Sequence, residues 1–231
     1  MDPVGDHLMR IRERIASACV RAGRPVDSVR LVGVTKSVSA ERARALVAAG
    51  CADLAESRPQ SLWSKHAALA DIVPPVRWHL IGHLQRNKVR RTVPLCQLVH
   101  TLDSERLRDA ISADAGGLGR AVDVLVEVNL TNAAQRTGLA IDDVAALIER
   151  WPADDVVRPR GLMGMAGLPE PGAPAGEARR QFARLRRLRD ELAAARPDLR
   201  LDELSMGMSD DFEEAILEGA TIVRIGSALW R

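Results

Sequence analysis

A lysine amine is a nucleophile only when neutral, and the end of an apolar strand is one place where that state can be arranged. The segment Leu31-Val-Gly-Val-Thr-Lys36 has that form. Partial burial and a nearby cation both depress an amine's pKa, so Lys36 is a candidate for a Schiff base with an aldehyde. The plainer reading is a solvated lysine at a strand end. Two later segments, Leu204-Ser-Met-Gly-Met-Ser-Asp-Asp211 and Arg224-Ile-Gly-Ser227, are small turns leading into helices. Such turns present backbone N–H groups and hydroxyls to a phosphate. Ordinary capping competes with this: Ser209 or Asp210 as N-cap, with Glu213 closing a box onto Asp210. If a phosphate sits there, Asp210 and Asp211 must point away. Arg224 lies at the end of an apolar strand and needs a partner. That partner is either a rim carboxylate or the ring nitrogen of a bound cofactor, which a permanently charged guanidinium would keep unprotonated. A ring held so is a weaker electron sink. Met163 and Met165 read as core, with room for one to pack on a ring. His79 reads as a satisfied core histidine, and the Arg86–Arg91 basic run as a solvated helix face.

These residues need a scaffold that gathers strand ends. Apolar residues at Leu8, Ile11, Ile15 and Cys19 have helical spacing over 6–22. From Val29 onward, β-branched runs and alanine- or leucine-rich amphipathic segments alternate about eight times. That pattern implies parallel strands with helical crossovers. At 231 residues it suits one domain over 1–231, an α/β fold closed as a (β/α)8 barrel with an extra N-terminal helix. An open doubly wound sheet is the competitor. Strand ends in a barrel collect at one rim, and there they bring Lys36, Glu56, His83, Asp103, Asn129, Met163, Ser205 and Arg224. A Pro/Gly-rich loop is expected at 168–176.

Taken in order, VGVTKS, WHLIGHLQRNKV, HTLDS, RTG, RGLMGMAG, LSMGMSDDFEEAI and VRIGSAL resemble the pyridoxal phosphate homeostasis protein family, single-domain relatives of the alanine racemase barrel. The resemblance runs from about Leu31 to Trp230. It implies pyridoxal 5′-phosphate as cofactor and Lys36 as the attachment point. It also implies Arg224 at the ring nitrogen, and Ser209, Gly226 and Ser227 at the phosphate. Arg136 stands where relatives often carry a lysine implicated in cofactor exchange. The chain departs from the family at Glu56-Ser57-Arg58, where Glu-Asn-Tyr is usual, and its C-terminal extension is short.

Composition narrows the function. A net charge of +2 gives no support for a nucleic-acid or membrane surface. No run approaches the roughly 18 apolar residues of a membrane span, and the N-terminus has no secretory pattern. Cys19, Cys51 and Cys96 are too scattered for a disulfide framework or zinc site. The expectation is a cytoplasmic monomer that stores, delivers or buffers the cofactor, with transient contact to apoenzymes that need it. An amino-acid racemase is the alternative. It needs a proton-transfer group on each face of the substrate carbon, and the alanine racemase family supplies one as a tyrosine from a second domain. This chain contains no tyrosine, and the expectation is that no second domain follows the last strand. A barrel for another phosphorylated metabolite is the third reading.

Overall fold

The computed structural model describes residues 3–131, 136–167 and 176–231. Eight strands pair in parallel and in sequence order, and β1 closes on β8: a (β/α)8 barrel. The strands are β1 (Arg30–Val34), β2 (Asp53–Glu56), β3 (Arg77–Leu80), β4 (Cys96–Leu102), β5 (Val122–Val128), β6 (Val157–Gly164), β7 (Glu203–Ser205) and β8 (Ile222–Ile225). The N-terminal helix α1 (Val4–Arg21) precedes them. Helices α2 (Ala40–Ala48), α3 (Pro59–Ala68), α4 (Val89–Thr92), α5 (Glu105–Ala115), α6 (Ile141–Glu149), α7 (Glu177–Ala195), α8 (Phe212–Leu217) and α9 (Ser227–Trp230) follow successive strands. The Pro/Gly-rich stretch expected at 168–176 lies outside the described residues except for Gly176.

Helix α1 forms because its apolar positions repeat every three or four residues. Leu8, Ile11, Ile15, Ala18 and Cys19 are buried, and the stripe packs on α8 and α9. Each large aliphatic side chain so buried contributes roughly 1.5–3 kcal/mol. Gly23, at φ +64°, then turns the chain out of the helix, a left-handed conformation that glycine adopts without a Cβ penalty. Helix α4 is shorter than the sequence suggests. The chain first makes a tight turn over Arg86–Lys88, and after Thr92 it tightens again over Val93–Leu95, where Pro94 has no N–H to continue the α-helical ladder.

Side chains alternate along each strand, so one set fills the barrel and the other meets the helices. The inner apolar set is small: Val32, Val34, Ala55, Leu98, Leu125, Met163 and Ile222. The outer faces join the helices in the main core. Further inner positions are polar and buried: Asp53, His79, His100, Glu127, Ser205 and Arg224. A buried polar group without a partner costs a few kcal/mol, so this interior must be hydrogen-bonded throughout. At Gly161 the β5–β6 register shifts, and a Cβ there would lie 1.8 Å from the Glu203 carbonyl oxygen on β7.

Candidate functional site

Lys36 stands two residues beyond Val34, and Val32 and Val34 both point into the barrel. The same alternation carries Lys36 to the inner side of the rim, but the strand ends at Val34 and the chain turns there. The side chain is therefore exposed, not partly buried as the sequence reading expected. Its base is held firmly. The Thr35 hydroxyl donates to Glu56 Oε1 at 2.6 Å. The buried Lys65 amine, arriving from α3, donates to the Thr35 carbonyl at 2.5 Å and to Glu56 Oε1 at 2.6 Å. On the other side, the Trp230 indole N–H donates to the Val34 carbonyl at 2.8 Å.

Strand β8 lies beside β1, with Val32 paired to Arg224. Arg224 is buried, and its guanidinium donates to Ser205 Oγ at 2.6 Å and to the Gly164 carbonyl at 3.1 Å. Those two bonds leave further N–H donors of the five a guanidinium carries. No rim carboxylate pairs with it among the described residues. Burial draws its pKa down to about 10, against the opposing charges of Asp211 and Glu127, so it stays protonated at neutral pH.

The turns after β7 and β8 are stitched together. Gly226 and Ala228 direct their N–H groups at one oxygen, Ser209 Oγ, at 3.3 and 3.2 Å. Gly207, at φ +90°, bends the first turn inward. A Cβ there would lie 2.6 Å from that of Ala215, and the Gly207 carbonyl accepts the main-chain N–H of Arg224 at 3.0 Å. The capping expected for Ser209, Asp210 and Glu213 is not what forms. Asp211 occupies the N-cap position of α8, and its carboxylate accepts the Met208 N–H at 2.6 Å. Glu213 instead pairs with Arg14 and Arg21 of α1. Nor does Asp211 turn away from the site. It is half-buried where burial raises its pKa while the Arg224 charge lowers it.

A cavity of about 340 Å³ opens between the ends of β5, β6 and β7, lined by residues that include Glu127, Asn129, Arg136, Met165, Ala166 and Met208. Met165 lines it, whereas Met163 lies deeper in the inner apolar cluster. Arg136 donates to the Ala166 carbonyl at 3.1 Å. Burial raises the pKa of Glu127, partly offset by a 2.6 Å hydrogen bond from Thr137. Sequence reasoning missed Lys65, Asp53, His100 and Glu127 as parts of this apparatus. The signal available was a polar residue at an inward position of an otherwise apolar strand, as in Leu98-Val-His-Thr-Leu102 and Val122-Asp-Val-Leu-Val-Glu-Val128.

The fold and this rim define the class: a barrel of the alanine racemase N-terminal type. The model of that domain family matches residues 7–231. The pyridoxal phosphate homeostasis protein of Pseudomonas aeruginosa is 38% identical over 230 residues, covering 100% of this chain and 96% of that protein. Its counterpart from Aquifex aeolicus is 39% identical over 225 residues, covering 97% and 96%. The solved structure of PipY from Synechococcus elongatus with PLP bound superimposes with a TM-score of 0.82 at 36% identity, covering 96% of this chain and 100% of that one. An alanine racemase from Clostridium difficile shares the fold at TM-score 0.72 and 14% identity, and the match spans 56% of that chain. The chain belongs to the pyridoxal phosphate homeostasis protein family.

Proposed function

We propose that residues 1–231 form one cofactor-binding domain that holds pyridoxal 5′-phosphate and serves its homeostasis in the cytoplasm, as a monomer that passes the cofactor to apoenzymes. The observation that carries this is the stitching of the last two turns beside β1: two backbone N–H groups converge on a single oxygen next to an accessible lysine and a buried guanidinium. The residues present fit the group. The Gly226 and Ala228 N–H donors, with the Ser209 and Ser227 hydroxyls, are the chemistry a phosphate requires. Arg224 keeps donors to spare and a permanent charge, which suits an unprotonated ring nitrogen. Lys36 has no side-chain hydrogen-bond partner among the described residues, so its nitrogen is not tied to another group. The cavity at the ends of β5, β6 and β7, with Met165 in its wall, opens on the same rim as these groups. Bound there, the cofactor supplies an aldehyde for covalent attachment and an aromatic ring that withdraws electrons.

The chain's own residues bind and orient. Ser209, Gly226 and Ser227 grip the phosphate end, Arg224 sets the ring, and the Thr35–Glu56–Lys65 cluster fixes the backbone from which Lys36 reaches. Arg136, at the cavity wall, is the group a departing cofactor anion meets. The carrier reading is favoured over a racemase because the sequence holds no tyrosine, and a positioned acid or base contributes roughly 10²- to 10⁴-fold to rate.

The test is reduction with borohydride after adding pyridoxal phosphate, followed by peptide mapping. The label should fall on Lys36, and Lys36→Ala should lose the visible band. A Lys36→Ala protein with an unchanged band refutes the assignment. Chiral analysis after incubation with L-alanine should find no robust D-isomer; its rapid formation would establish the racemase instead.

A further inference from the structure

A line of hydrogen bonds crosses the barrel interior from its floor to its mouth. Arg77 donates to both oxygens of Asp53, at 2.9 and 2.5 Å. Asp53 Oδ1 meets His79 Nε2 at 3.0 Å. His79 Nδ1 meets His100 Nε2 at 2.9 Å, and His100 Nδ1 meets Ser205 Oγ at 2.9 Å. Arg224 ends the line with its 2.6 Å bond to the same oxygen. Both rings, Asp53 and Ser205 are buried.

Proton counting allows one arrangement. The Asp53 carboxylate is an acceptor, so His79 must carry its proton on Nε2 and leave Nδ1 bare. His100 then donates from Nε2 and also leaves Nδ1 bare. Ser205 must give its hydroxyl proton to that nitrogen, and its lone pairs face the Arg224 N–H. Reversal would set a bare His79 nitrogen against the carboxylate and leave the Ser205 proton without an acceptor. Burial lowers the pKa of both histidines, His100 well below its usual value, so neutral rings fit the chain.

We propose that Asp53, His79, His100 and Ser205 form a one-way hydrogen-bond relay that positions the Arg224 guanidinium for the cofactor's ring nitrogen. The identity of the ring rests on the proposed function; the polarity of the relay does not. All four are positioning residues. Asp53 fixes a tautomer two rings away, and Ser205 passes the result to Arg224 as a correctly turned lone pair.

Two measurements test it. In ligand-free protein, nitrogen-15 NMR should find His79 and His100 as neutral Nε2–H tautomers at pH 7. An Nδ1–H form of either ring overturns the relay. The second measurement is binding by calorimetry. Ser205→Ala and Asp53→Asn should weaken pyridoxal phosphate about tenfold, the scale of one hydrogen bond to a charged group. They should leave the affinity for the analogue with C–H in place of the ring nitrogen within about twofold. Equal losses for both ligands would mean a general structural role and overturn the proposal. If the parent protein binds no pyridoxal phosphate, the cofactor reading falls and takes the target of the relay with it. Wrong tautomers remove the relay alone.

Discussion

Replacing Lys65 by methionine tests the link between stability and site. The Glu56 side chain is fully buried, and that of Lys65 is 11% exposed. Glu56 Oε2 already lacks a partner. Removing the amine leaves a buried carboxylate with only the Thr35 hydroxyl. Breaking a buried pair by deleting one partner costs about 3–5 kcal/mol, against about 0–1 kcal/mol for an exposed pair. In a chain of this size 1 kcal/mol moves Tm by roughly 2–4 °C, so Lys65→Met should melt on the order of 10 °C lower by circular dichroism. The double variant Lys65→Met/Glu56→Gln leaves no charge in this cluster and should recover at least half of that loss. The Thr35 carbonyl loses its donor in both, so pyridoxal phosphate should bind several-fold more weakly even where stability returns. A Tm within about 2 °C of the parent for Lys65→Met would refute the account of this cluster.

Acid should unfold the protein in two stages. His79 and His100 are held neutral by burial, while the unfolded chain takes up protons below about pH 6.5. Stability should therefore fall as pH drops through that value, and a flat urea midpoint from pH 7 to 5 would contradict it. Burial pushes the Asp53 carboxyl up, but bonds from His79 and Arg77 outweigh this and bring its pKa to about 2. Its contribution, about 2 kcal/mol, is present above roughly pH 4 and lost as pH falls toward 2. Gly161→Ala should cost more than about 3 kcal/mol or abolish soluble expression, because its φ is +146° and the β7 carbonyl is in contact. Gly116→Ala, with open space around it, should stay within about 0.5 kcal/mol of the parent in urea; similar values for the two would refute the close-approach argument.

The alternation of apolar strands with amphipathic helices, written in local periodicity, was enough to read the elements and the N-terminal helix, while the choice between a closed barrel and an open doubly wound sheet rested on the pairing of β1 with β8. Residues at strand ends were legible for the same reason: chain order alone places Lys36, Arg224 and the two glycine-serine turns on one rim. Period two also says which residues of a strand share a face. It does not say what they face. His100 meets Ser205 across 105 positions of sequence, Asp53, His79 and Lys65 find partners on other strands, and Glu127 finds Thr137 on the loop after β5. Those meetings depend on closure, register and the direction of each side chain. Asp211 looked like a charge to be turned outward, and only the bend at Gly207 and the packing of α8 bring it near Arg224. Local sequence thus determined the elements and the rim. Tertiary closure decided the hydrogen-bonded interior, because buried polar groups must find partners, and no local pattern names them.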